Sequence, residues 1–254
     1  MTNPTACLLI IGNEVLSGRT QDANLRYIAT GLGKIGIRLR EVRVIPDERE
    51  VIVATVNTVR AQYDHVFTTG GIGPTHDDIT SECIAEAFGL PWEAHPEAWA
   101  RMEAHYARQT PPGDFNKARQ RMATMPRGAT LIDNVISIAP GFTIGNVHVL
   151  AGVPRVCQAM FDALAPSLTG GPPIVSQTVH AHGLMEGRIA EGLAGIQNQY
   201  PLLDIGSYPY YRPGGGGVAV VAKGTDPDEV AAAARDVSVF MRAVGGMPVQ
   251  GEPE

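Results

Sequence analysis

The chain has 254 residues, of which 44% are hydrophobic and 18% charged, with a formal net charge of -6. That composition is an ordinary globule's, long enough for one large domain or two unequal ones. The acidic balance and only 6% aromatics weigh against a nucleic-acid binder, which needs a basic surface and stacking platforms.

The first residues, "MTNPTACLLIIGNE", have no basic stretch before their short apolar run, and no run reaches the ~20 apolar residues of a membrane span. Cys7, Cys83 and Cys157 are isolated, without CxxC spacing, which argues for reduced thiols and against structural zinc. A cytoplasmic protein without membrane contact is expected.

"ACLLIIG" (6–12) reads as a strand buried on both faces. In "DANLRYIATGLGKIG", Leu25, Ile28, Ala29 and Leu32 form one helical stripe, with Asp22 as N-cap and Gly33 or Gly36 as stop. The glycines inside that stripe have no explanation in the sequence. "IRLREVRVI" (37–45) alternates, as a half-wet strand does, and "DERE" (47–50) has the form of a capping box opening the next helix. "HVFTT" (65–69) is a strand and "TSECIAEAFG" a helix closed by Gly89. Helical character returns at 95–108 and 116–123, followed by short strands or loops and a helix from Pro154 to about Leu168. Strands alternating with helices at this spacing predict an α/β fold, a mostly parallel sheet with helices on both faces in three layers. "TGGPP" (169–173) is the best linker and divides the chain into domains 1–170 and 174–254. The second domain reads strand, helix, strand, strand, helix, a small α+β unit of split-βαβ type, and "PGGGG" (213–217) joins two of its strands.

The chemistry concentrates in "HVFTTGGIGPTHDDIT" (65–80), at the carboxyl end of a predicted strand, where open parallel sheets bind ligands. Gly70, Gly71 and Gly73 allow a tight turn with amides uncovered by Cβ atoms, and the following helix adds a positive dipole end, which together accept phosphate. The competing account is a plain glycine turn with Asp78 or Thr80 as helix cap. Asp77 and Asp78 beside such a cradle would repel phosphate unless a divalent cation such as magnesium stood between them. Neither the P-loop nor the G-x-G-x-x-G fingerprint is present.

"IIGNEVLSGRTQDAN", "VIPDERE", "TTGGIGPTHDDIT", "IAPGF" and "LAGVP" occur in an order that resembles the molybdopterin-binding (MoaB/Mog-type) domain. More closely it is similar to the N-terminal part of the competence/damage-inducible protein A (CinA) family, and the tail "IGSYPYYRPGG" resembles that family's small second domain and the related domain of FAD synthases. Ala151 stands in "LAGVP" where that pattern leads one to expect proline. The resemblance implies a MoaB/Mog-like fold and a site for a nucleotide or pterin phosphate, molybdopterin among the ligands. It implies divalent-metal-dependent hydrolysis of dinucleotide pyrophosphates such as ADP-ribose or FAD; the alternative is a binding protein linked to molybdenum cofactor metabolism. It places Gly70, Gly71, Gly73, Thr80, Ser17 and Asn24 on the ligand, Asp77, Asp78 and Glu14 on the metal, and Asp47 and Asp78 in catalysis. Helix capping alone would account for Asp47 and a polar turn for Glu14 and Ser17; Asp22 and Asn24 either start a helix or read a base or ribose. The family's amidase domain has no counterpart before Glu254, so amidase activity is not expected. Homo-oligomers are expected by analogy.

His180 and His182 share a strand face, but without a third ligand they read as polar surface. Lys117, Arg119 and Arg121 form a basic cluster that is either a solvated helix face or a border of the pocket. Arg155 is equally ambiguous, and Cys83 reads as a packed thiol. An RNA-contacting second domain needs a GXXG loop with basic flanks, and only Arg212 lies close to "PGGGG".

Overall fold

The computed structural model describes residues 3–213 and 215–253. It divides into two compact units, the first ending at Gly171 and the second starting at Pro172.

In the first unit, strand β1 (Thr5–Ile11) is buried along almost its whole length, as the apolar run requires. Its side chains alternate: Cys7, Leu9 and Ile11 enter one core, and Ala6, Leu8 and Ile10 the other. Gly12 leads into a single helical turn, α1 (Asn13–Leu16), and then α2 (Asn24–Lys34). The Asp22 carboxylate accepts from the amides of Asn24 at 3.1 Å and Leu25 at 2.8 Å, so it does tie down the start of α2. Strand β2 (Arg38–Ile45) alternates between exposed and half-buried residues up to Ile45, and α3 (Arg49–Arg60) follows. The capping box is absent: Glu48 occupies the cap position with no side-chain bond, and Asp47 turns to a different amide, that of Asn13.

Strand β3 (His65–Thr69) is followed by α4 (Thr80–Ala87), β4 (Trp92–Ala94), α5 (Pro96–Ala107), α6 (Lys117–Arg121) and β5 (Thr124–Pro126), where β4 and β5 form a small ribbon absent from the sequence reading. Then come β6 (Thr130–Ile132), β7 (Gly141–Ile144), β8 (Val147–Leu150) and α7 (Pro154–Leu164), the last continued by one 3₁₀ turn. The six-stranded sheet has the order β2-β1-β3-β8-β7-β6. Its β2-β1-β3-β8 portion is parallel, and β7 and β6 add antiparallel strands at one side. Ile52, Val56, Ile84 and Met102 fill one face, and Ile28, Leu32 and Phe161 the other, giving three layers.

Gly31, inside α2, now has a reason. A Cβ there would lie 2.3 Å from the Phe161 ring, so the glycine admits α7 against α2. Gly33 faces open space, and nothing in the structure explains it.

The second unit contains β9 (Val175–His182), α8 (Ala190–Gln199), β10 (Asp204–Arg212), β11 (Gly215–Gly224), α9 (Pro227–Ala243) and β12 (Pro248–Gln250). Its sheet order is β10-β11-β9-β12. Both β9 and β10 are antiparallel to β11, so they run parallel with β11 inserted, the split-βαβ arrangement. Strand β12 adds an edge beside β9 that was not foreseen. Of the run "PGGGG", Gly214 lies outside the described residues; its flanks join β10 to β11 as a hairpin. No helix among the described residues is long and apolar enough to cross a membrane.

Phe161 is 2% exposed and meets Tyr27 and Phe67 edge-on or tilted. Phe161→Ala is expected to cost about 3–5 kcal/mol in urea unfolding of the first unit, the range for a buried aromatic lost without collapse. A loss below about 1 kcal/mol would mean that α7 does not depend on this contact.

Candidate functional site

Strands β1, β3 and β8 leave the sheet side by side, and the loops beyond them converge. The Gly70 amide donates to the Leu150 carbonyl at 3.2 Å. Gly70 has φ of 99°, and a Cβ on it would sit 2.1 Å from the Ile11 carbonyl oxygen. Gly152 packs on the other side, where a Cβ would lie 3.2 Å from the Gly70 Cα. Gly71 is also left-handed, and a Cβ there would fall 2.1 Å from the Thr80 hydroxyl. The chain's own crowding therefore demands glycine at 70 and 71, before any ligand is considered.

Those glycines set up the cradle. The Thr80 amide donates back to the Gly71 carbonyl at 2.9 Å, folding the loop onto the head of α4. Among the described residues, no acceptor meets the amides of Gly71, Ile72 and Gly73. No side chain caps the start of α4 either. Consecutive free amides beside an uncapped helix end form an anion-binding concavity.

Asp78 does not cap α4, which corrects the simpler expectation. Its Oδ2 accepts from the Thr75 amide at 2.8 Å and from the Thr75 hydroxyl, closing the turn between them. A Cβ on Gly73 would lie 2.6 Å from that same oxygen, so the third glycine leaves room for the carboxylate. Arg121 braces the turn from outside, its Nη2 donating to the Asp78 carbonyl at 3.1 Å with the guanidinium 5.2 Å over the Trp92 ring. Of the basic cluster, Arg121 thus borders the loop, whereas Arg119 bonds the Asp114 carbonyl and stacks over Tyr106. Asp77 is exposed, and its neighbours in this turn hold its carboxyl below the usual range.

Asp47 is half-buried at the end of β2, its Oδ2 accepting from the Asn13 amide at 2.8 Å. Burial raises its pKa; the Asn13 bond opposes this, and the charges of Glu14, Asp77 and Asp78 raise it further. The structure thus brings the four predicted acids into one electrostatic neighbourhood. It does not assemble them into a cage: among the described residues, no three His, Cys, Asp or Glu side chains stand close enough to hold a metal. A magnesium ion takes only one or two carboxylates, keeps waters and uses phosphate oxygens, and this spread-out acidic set with an anion cradle beside it fits that mode.

Ser17 is exposed at the end of α1, its hydroxyl donating to the Glu14 carbonyl at 3.2 Å in a local turn. Asn24 is buried and its Nδ2 donates to the Gly152 carbonyl at 2.8 Å, which fastens the α2 loop to the β8 loop. A cavity of about 60 Å³ lies between these loops, lined by residues that include Glu14, Asp22, Asn24, Thr69, Gly70 and Gly152. The sequence reading missed Thr69 and Gly152; a threonine closing an apolar strand and a glycine opening "GVP" were the only signals.

A roomier cavity, of about 550 Å³, opens elsewhere, around His65 at the start of β3 and including His148. Burial pushes His148 down to about 3, so it stays neutral, with Nδ1 3.0 Å from the Thr143 hydroxyl and Nε2 3.2 Å from His65 Nδ1. That is the entry edge of the parallel strands, whereas ligands of such sheets sit at the exit edge, where the glycine loop lies. Size alone does not select the site. Two other candidates are engaged in the fold: burial pushes the Cys83 thiol up to about 11, and His180 Nδ1 pairs with the Gly251 carbonyl at 2.8 Å.

The chain matches the family model of the probable molybdopterin binding domain over residues 7–170, and that of the FAD synthase middle domain over residues 173–243. It is 34% identical to a protein of Pyrobaculum calidifontis, covering 81% of each chain, and 32% identical to one of Metallosphaera sedula, covering 94% of each. It is 35% identical to a CinA-like protein of Citrifermentans bemidjiense over 74% of this chain, and spans 47% of that longer protein. Among solved structures, the protein CinA of unknown function from Thermoplasma acidophilum aligns with a TM-score of 0.60 at 29% identity, over 66% of this chain and 99% of that one. The chain therefore belongs to the molybdopterin-binding (MoaB/Mog-like) domain family, in a CinA-like form followed by a unit like the middle domain of FAD synthase.

Proposed function

We propose that the chain is a divalent-metal-dependent pyrophosphatase acting on dinucleotides of the ADP-ribose or FAD kind. One observation carries this reading: three consecutive amides without an acceptor among the described residues share a loop with Asp77 and Asp78, whose charges act on Asp47. Amides without acceptors call for an anion, and crowded carboxylates call for a cation. A pyrophosphate with its metal supplies both. The similarity of the second unit to the FAD synthase middle domain supports a nucleotide ligand.

The residues divide the work as follows. The amides of Gly71, Ile72 and Gly73 hold one phosphate, helped by the dipole of α4. Asp77, Asp78 and Glu14 supply carboxylate oxygens for the cation, whose contribution when bound is to offset phosphoryl charge and make water more acidic. Asp47, half-buried and raised in pKa, is placed to orient the attacking water and accept its proton. Water adds to one phosphorus as the bridging P–O bond breaks, releasing AMP and ribose 5-phosphate from ADP-ribose, or AMP and FMN from FAD.

A second reading, a protein that holds molybdopterin or a nucleotide intact, draws on the engagement of Asp78 by Thr75, which occupies one of its two carboxylate oxygens. Incubation with ADP-ribose or FAD and magnesium decides between the two. AMP release that stops on chelation and falls about 100-fold or more in Asp78→Asn supports hydrolysis, in line with loss of a metal-bearing carboxylate. Tight binding with the ligand recovered whole supports the second.

Asp47 gives a check that needs no turnover. Its folded pKa is raised, so its contribution to stability is fully present below the unfolded value of about 3.9 and is lost as pH rises through the folded value. Asp47→Asn should therefore match the wild type in thermal midpoint near pH 3.5 and equal or exceed it at about pH 7. Magnesium should raise the wild-type midpoint at neutral pH more than that of Asp47→Asn, by mass action. A variant that is less stable at neutral pH and equally responsive to magnesium would remove Asp47 from the acidic site.

A further inference from the structure

Strand β2 closes one side of the six-stranded sheet and, among the described residues, pairs only with β1. An open edge of this kind offers main-chain groups to another strand. The Ile45 carbonyl accepts from the Gly12 amide at 3.1 Å, so Ile45 turns its main chain toward β1. Alternate residues of a strand turn the same way, so Glu41 and Arg43 do likewise, while Val42 and Val44 turn theirs outward. The two valines are 37% and 39% exposed. The register with β1 slips between Ala6 and Cys7, which leaves Arg40 as an extra residue and confines the regular outer edge to the stretch that follows it.

Charge decides what this edge pairs with. Glu41 and Arg43 stand opposite Cys7 and Leu9, so both side chains lie on one face of the sheet. Arg43 Nε donates to Glu41 Oε1 at 2.6 Å and the Tyr63 hydroxyl donates to Oε2 at 2.6 Å, while the two Nη groups of Arg43 have no hydrogen bond among the described residues. An antiparallel copy centred on Val42 sets Glu41 opposite the second copy's Arg43, and Arg43 opposite its Glu41. In that register Val42 exchanges main-chain bonds with its own counterpart, as its outward N–H and C=O require, and the Val44 N–H meets the second copy's Arg40 carbonyl. The charged pairs then fall at the non-hydrogen-bonded positions, where side chains stand closest. Centring on Glu41 or on Arg43 instead sets like charges face to face. A foreign strand would need the same alternation of charge, whereas a second copy supplies it by symmetry. We infer that β2 is a two-fold interface between copies of this chain, joining their six-stranded sheets into one.

The test is analytical ultracentrifugation of the whole chain up to about 100 μM, because an interface of one strand pair is small and its affinity modest. The wild type is expected to reach twice the mass of one chain. Val42→Pro removes an outward N–H that bonds nothing within the chain, and should weaken Kd at least about 30-fold with the circular dichroism spectrum unchanged. Arg43→Glu and Glu41→Arg each set like charges opposite one another and should weaken Kd by about as much. Mixed in equal amounts, these two charge variants should form a mixed dimer, since each supplies the sign that the other lacks. Misfolding does not imitate that recovery, which serves where Val42→Pro fails to fold. A wild type that stays monomeric, a trimer, a dimer indifferent to all three substitutions, or charge variants that do not recover on mixing overturns the inference.

Discussion

The architecture of the site turns on one steric constraint, the seating of Gly70 between the Ile11 carbonyl and Gly152. Three strands end there, and at Gly70 their loops meet backbone against backbone. Because no Cβ intervenes, the Gly70 amide reaches the Leu150 carbonyl, and Gly71 turns the loop back onto Thr80. A loop held this closely carries its free amides on the rigid edge of a sheet. That is what an anion cradle requires, since donors that must reorganise on binding lose much of their value. The glycines thus act indirectly, as packing residues whose consequence is an exposed strip of backbone.

Electrostatics then limits what the strip can hold. Asp47 has only the Asn13 amide in its favour, while burial and the charges of Glu14, Asp77 and Asp78 disfavour its ionised form. A bare anion entering there would add to the same repulsion. An anion arriving with a divalent cation relieves it.

Much of this was legible in the sequence, and the failures have physical causes. The buried strand "ACLLII", the stripe of α2 and the split-βαβ order of the second unit follow from periodicity alone. Three-residue strands such as β4, β5 and β12 are too short to show alternation, and they exist because neighbouring strands offer them pairing. The capping box suggested by "DERE" does not form, because a carboxylate bonds whichever amide the fold brings to it, and for Asp47 that is Asn13. Gly31 made no sense until Phe161, far along the chain, was seen to occupy the space of its missing Cβ. Thr69 was invisible as a site residue for a similar reason: an unsatisfied hydroxyl is a property of surroundings, never of a residue type.

The small cavity and the glycine loop meet at Gly70. Thr69 and Asn24 lie on the β1 side of Gly70, whereas the free amides run away from it toward α4. Glu14 belongs to both neighbourhoods, lining the small cavity and acting on Asp47. A glycine shared by cavity and loop fixes the one against the other, so a change at Gly70 that disturbs the Ile11 contact disturbs both.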